Sequence, residues 1–185
     1  VEVTGDIYGG ISSMYLWRGF DLSKGDAVVQ GGGDVSFNGF TLSYWSNFNI
    51  ADAELDETDL IIDYTTELNE MFSLSVGSIF YAVENTRDTS EFYVGLSANT
   101  LLEPNLTIYY DYNEFDGDIF VTASAGHSLS IQEGLDLSLG GLISFADNDT
   151  YSDLHNLELS AGLDYVINEQ LTLSPGVIFS APISD

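Results

Sequence analysis

The sequence predicts an all-β chain, an up-and-down antiparallel transmembrane β-barrel. Three observations carry this: side-chain alternation sustained beyond the usual length of a soluble strand, short turns alternating with longer polar loops, and apolar strand faces free of formal charge. Alternation is clearest over residues 119–145. Ile119, Val121, Ala123, Ala125, Leu129 and Ile131 share one face, opposite Phe120, Thr122, Ser124, Gly126, Ser128 and Ser130. Successive side chains of a strand point to opposite faces, so period two marks a strand. After a turn at Gln132, Glu133 and Gly134, the pattern resumes with Leu135, Leu137, Leu139, Gly141, Ile143 and Phe145 against Asp136, Ser138, Gly140, Leu142 and Ser144. Soluble strands run to about five or six residues, whereas a tilted strand crossing a bilayer needs roughly 9 to 11.

Taken in order, the first strand covers residues 1–17, with Val3, Ile7, Ile11, Tyr15 and Trp17 against Glu2, Asp6, Tyr8 and Ser12. A loop with Arg18, Gly19, Asp21 and Lys24 leads to a second strand, Val29, Gly31, Gly33, Val35 and Phe37 against Gln30, Asp34 and Ser36. Asn38-Gly39 closes it as a two-residue hairpin signal. The third strand, 40–50, sets Phe40, Leu42, Tyr44, Phe48 and Ile50 against Thr41, Ser43, Trp45 and Asn47, and an acidic loop 51–59 follows. Strands four to seven show Leu60, Ile62 and Tyr64; Phe72, Leu74, Val76 and Phe80; Phe92, Val94 and Leu96; Leu106, Ile108, Tyr110 and Tyr112. Eight and nine form the hairpin above. Ten carries Leu157, Leu159, Leu163 and Tyr165, and eleven carries Leu171, Leu173, Val177 and Phe179.

Short turns at 38–39, 69–70, 101–105, 132–134 and 168–170 alternate with loops at 18–26, 51–59, 84–90, 113–118 and 146–156, the asymmetry of outer-membrane barrels. The apolar faces hold no Asp, Glu, Lys or Arg, whereas the opposite faces carry Glu2, Asp6, Asp34, Asp63, Glu67, Glu91, Asp111, Asp136, Glu158 and Asp164. A cation on a lipid-facing strand costs roughly 2 to 4 kcal/mol at the midplane, an acid less. These acids are therefore expected to line the lumen. Tyr15, Trp17, Phe48, Phe80, Tyr110, Tyr112 and Phe145 gather toward the loop ends and are expected to form an interfacial girdle. The competing reading is a soluble β-sandwich whose apolar face is its core; it predicts shorter strands and Lys on the outward face. Closed bacterial barrels have an even strand number, so a twelfth strand is expected beside the eleven. Pro175 lacks a ladder donor and predicts a bulge.

Residues 1–185 read as one domain, with no linker or composition shift. No apolar run reaches 18 residues, which excludes a spanning helix but not a barrel. Against 30 acids stand three bases, Arg18, Lys24 and Arg87, for a formal net charge of -27. Phosphate recognition depends on Lys and Arg, so nucleic acid is not an expected partner. Eleven Tyr, eleven Phe and two Trp supply the burial that disordered acidic chains lack. The chain has no cysteine and opens at VEVTGD without Met, the expectation being a processed, exported product.

The stretch Tyr15-Leu16-Trp17-Arg18-Gly19-Phe20-Asp21, TLLEPNLTIYYDY at 100–112, Gly126-His127-Ser128 and LTLSPGVIFSAP at 171–182 together resemble the TorF-type porin family. This is a group of Gram-negative outer-membrane proteins, and the resemblance spans nearly the whole chain. It implies an exported barrel acting as a passive channel, and no catalytic residues.

Catalytic chemistry has little to draw on. His127 reads as a neutral residue on the apolar face. His155, with Asp149, Ser152 and Asp153, has the residue types of an acid-His-Ser group, but all fall in one loop with nothing to orient them. Asp147, Asp149 and Asp153 place oxygens at alternate positions of a calcium-loop-like run that lacks its glycine. With Asp52, Glu54, Asp56, Glu57 and Asp59 they are at most weak sites for divalent cations, and no other cofactor is expected. The expected function is a cation-preferring outer-membrane porin in contact with membrane lipid and lipopolysaccharide. Inward Tyr8, Trp45, Tyr81, Tyr93, Tyr109 and Phe120 leave open a side-chain-filled barrel with a structural role, closing its edge by strand addition with a neighbour as a homo-oligomer. An acidic secreted binding domain is the third reading.

Overall fold

A computed structural model describes residues 3–184; Val1, Glu2 and Asp185 lie outside the described residues, and with them the expected lumenal position of Glu2. The strands are β1 (Val3–Ser12), β2 (Leu16–Trp17), β3 (Phe20–Asp21), β4 (Val28–Phe37), β5 (Phe40–Asn49), β6 (Glu54–Glu67), β7 (Phe72–Val83), β8 (Thr89–Ala98), β9 (Asn105–Asp111), β10 (Ile119–Gln132), β11 (Leu135–Asn148), β12 (Tyr151–Asn168), β13 (Leu171–Leu173) and β14 (Gly176–Pro182). Twelve of them form one antiparallel sheet, each lane paired with the next in chain order, and β2 and β3 make a separate two-stranded ribbon. Among the described residues β1 pairs only with β4, and β13 and β14 pair only with β12, so the ladder leaves two free edges.

β13 and β14 occupy one lane. Tyr165 faces Leu173 and Gly162 faces Gly176, so the register does not change across Ser174 and Pro175. The bulge expected at Pro175 is therefore an interruption instead. Proline has no N–H to give, yet its carbonyl still accepts from Leu163 N–H at 2.9 Å. The sheet thus has eleven lanes.

Register fixes the faces. Asp6 lies opposite Asp34, Asp34 opposite Ser43, Thr41 opposite Asp63, Glu67 opposite Ser73, Glu91 opposite Asp111, and Asp136 opposite Asp164. These acids share one face with Tyr8, Trp45, Tyr81, Tyr109, Phe120 and Glu158. Side chains of that face, from β1 round to β12, line a single cavity of about 520 Å³, so the sheet curls around it. The other face is apolar and open: Ile7 is 94% exposed and Ile62 60%. Buried residues are mostly polar, including Asn47, Glu57, Asp59, Glu91, Thr107, Asp111, Ser144 and Asn156. This inverts the polarity of a water-soluble domain.

Three expectations need correction. The first strand does not run to residue 17: it ends at Ser12, and the chain turns inward through Tyr15 into β2 and β3. The loops read at 51–59 and 146–156 shrink to 50–53 and 149–150, because β6 begins at Glu54 and β12 at Tyr151. In both places a bulge, between Asn47 and Phe48 in the β5/β6 pairing and between Ile143 and Phe145 in the β11/β12 pairing, lets the ladder continue. An extra residue shifts side-chain parity, so alternation breaks while the strand goes on.

Candidate functional site

The inward turn is built by a hairpin within the hairpin. Arg18 and Gly19, at φ 49° and 84°, form the two-residue loop that joins Trp17 to its partner Phe20; two positive φ values are what a type I′ turn requires. Asn38-Gly39, at 51° and 86°, makes the same turn between β4 and β5, as its sequence predicts. The ribbon's base is pinned at Ser23, whose Oγ accepts from Tyr15 N–H at 2.8 Å and donates to Asp21 Oδ1 at 3.0 Å.

That ribbon carries Arg18 into the interior. Its Nη1 and Nη2 donate to Glu91 Oε1 and Oε2, both at 2.7 Å, the fork-to-fork geometry that is strongest for a guanidinium. Tyr81 OH donates to Glu91 Oε2 at 2.8 Å. The guanidinium carbon lies 4.5, 4.8 and 4.4 Å from the ring centroids of Trp17, Tyr109 and Phe120, so three aromatic faces enclose the charge. His155 Nε2 donates to the Arg18 carbonyl at 2.9 Å, and its ring packs against Phe20 and Phe120. Glu91 is 5% exposed and its cross-strand neighbour Asp111 3%. Like charges directly opposed destabilise a ladder; Arg18 offsets one carboxylate, and Thr89 Oγ1 donates to the other at 2.6 Å.

Trp17, Arg18 and Phe120 separate two spaces. Above them, on the loop side, a cavity of about 480 Å³ is bounded by Phe115, Asp118, Asn148 and Tyr151. Below them lies the central cavity of about 520 Å³. Burial, and then Asp111, Asp149, Asp147 and Glu91, hold the Asp118 carboxyl above the ordinary aspartate value. Burial, and then the Glu57, Asp59 and Asp56 carboxylates, raise the Tyr15 phenol in the same way. Further along the inward face, Tyr93 lies over Gly77, where any Cβ would sit 2.4 Å from the ring, and donates to Asp63 Oδ2 at 2.6 Å.

Of the aromatics expected at the interface, Phe48, Phe80, Tyr110, Tyr112 and Phe145 stay on the outward face near the loop end. Tyr112 stacks on Phe92 with centroids 4.2 Å apart. Tyr15 and Trp17 do not belong to that girdle: Tyr15 is buried and both line the central cavity. Asp147, Asp149 and Asp153 fall on the tight β11/β12 hairpin, and among the described residues no three His, Cys, Asp or Glu side chains gather in metal-binding geometry. His155 Nε2 is engaged by the Arg18 carbonyl and not by Asp149, Ser152 or Asp153.

Sequence reading missed Arg18 as an inward base and Glu57 and Asp59 as inward acids. A signal for Arg18 exists in Trp17-Arg18-Gly19-Phe20, where a residue followed by Gly between two aromatics marks a two-residue hairpin. No protein-family model matches the chain, and no curated protein matches it.

Proposed function

We propose that the protein is an outer-membrane β-barrel that admits small cations slowly, with Arg18 and Glu91 forming the constriction of its lumen. One observation carries this: the sheet exposes its apolar face and gathers its strand carboxylates on the opposite one, where Glu57, Asp59, Glu91 and Asp111 are buried. Bilayer lipid is the solvent that tolerates such a face, since exposing it to water forgoes about 25 cal/mol for every Å² left unburied. Closure requires β1 to meet the β13/β14 lane directly or through an added strand, because unpaired backbone is costly in hydrocarbon. The resemblance to the TorF-type porins supports this reading, in which the protein sits in a Gram-negative outer membrane beside lipopolysaccharide.

Within that reading the inward acids favour cations, and Arg18 neutralises Glu91 where the two cavities meet. Planar-bilayer recordings across a KCl gradient test the proposal. A small current with a cation-selective reversal potential is expected, and Arg18→Ala should enlarge it. An anion-selective reversal, or no current in either protein, overturns the channel. The free edges support a second reading, in which the filled barrel is structural and pairs its edge with a neighbouring copy. Crosslinked oligomers through β1 combined with silent bilayers would favour it.

A further inference from the structure

The geometry points to a site for a hard divalent cation, calcium-like in its chemistry, between β5 and β6 on the inward face. Its ligands are Asn47 Oδ1 and the carboxylates of Glu57 and Asp59. Asn47 lies directly across the ladder from Glu57, and Asp59 is two residues further along on the same face. All three are enclosed, at 0%, 6% and 8% exposure, and Glu57 and Asp59 share one face of β6.

Two features separate this from an ordinary acidic surface. Asn47 Nδ2 donates to Asp56 Oδ1 at 2.6 Å, which fixes the amide's orientation and leaves Oδ1 on the other side. That buried oxygen has no donor, and neither does Asp59 Oδ1. Buried acceptors are almost always satisfied, so two orphans beside a carboxylate mark a missing positive partner. Among the described residues no Lys or Arg supplies one. Arg18 is held by Glu91, Arg87 by Glu114 at 2.8 Å, and Lys24 is exposed in the turn before β4. Two carboxylates and an amide oxygen are the donors a hard cation takes, with water completing the shell. Tyr15 packs on Trp45 at 5.5 Å between centroids, and Trp45 lies across the ladder from Asp59, so the inward turn roofs the site.

The site goes beyond the channel reading and does not require conduction. It is tested on the full chain, refolded in detergent and stripped with EDTA, by following the thermal unfolding midpoint as calcium chloride is added. Calcium should raise the midpoint of the natural protein and of Asp147→Asn/Asp149→Asn, whose changes lie on the β11/β12 hairpin and not on β5 or β6. In Glu57→Gln/Asp59→Asn the calcium shift should vanish, while the midpoint in EDTA exceeds that of the natural protein because the buried pair no longer carries uncompensated charge. Asn47→Leu, which leaves every charge in place, should raise half-saturating calcium about tenfold. Terbium should give sensitised emission that dims in Trp45→Phe. An unchanged calcium shift in Glu57→Gln/Asp59→Asn, or none in the natural protein, overturns the site; a silent bilayer does not.

Discussion

Arg18 illustrates how one side chain can occupy the middle of a molecule whose strands contain no inward base. Its pairing with Glu91 is two-pronged and largely enclosed, with 15% and 7% of the two side chains exposed. Removing one member of such a pair strands the other, at a cost of about 3 kcal/mol. Glu91→Ala should therefore lose roughly that much stability in urea unfolding from detergent, whereas Arg18→Met/Glu91→Met should lose less than the sum of the single changes. Asp118 behaves oppositely. Its folded pKa is raised, so the folded state holds the proton more tightly than the unfolded chain, and the charged form costs stability at neutral pH. That cost is relieved as pH falls through the folded value toward the unfolded one, about 3.9. Asp118→Asn should be more stable than the natural protein at neutral pH, and the two midpoints should converge on acidification past that window.

Among the elements, the β2/β3 ribbon determines what the interior can do, because it delivers Trp17 and Arg18 to the point where the two cavities meet. Its turn depends on Gly19, whose φ of 84° is left-handed and whose Cβ, if present, would lie 3.1 Å from the Asn156 side chain. Gly19→Ala should cost about 1 to 2 kcal/mol and, by loosening the ribbon, enlarge the bilayer current in the same direction as Arg18→Ala. The eleven lanes of the sheet were legible: the alternation of residues 119–145 became β10 and β11, joined at Glu133 and Gly134, whereas the β2/β3 ribbon was not. What alternation could not show were the starts of β6 and β12. One bulged residue at each place reverses parity, and the polar segments 54–59 and 151–156 then read as loop although they are paired.

On the scale of the whole molecule, the exposed apolar band is the property most open to direct measurement. The protein should be recovered from membranes only with detergent and should precipitate when the detergent is removed. Recovery as a monodisperse species in detergent-free buffer would sink the lipid-facing reading and favour a soluble acidic domain. The free edges at β1 and at the β13/β14 lane belong to this scale too, since no single strand reveals whether its neighbour is present.

The sequence by itself determined the strand order, the up-and-down path and the side of each strand that is charged, because those follow from period-two alternation and turn chemistry, both local properties. Only the tertiary structure decided that Tyr15, Trp17 and Arg18 turn inward, that Arg18 meets Glu91 across 73 residues of chain, and that Glu57 and Asp59 lie buried beside Asn47. Those are meetings between lanes, governed by register and bulges, and one displaced residue is enough to move a carboxylate from an expected loop to an enclosed strand face.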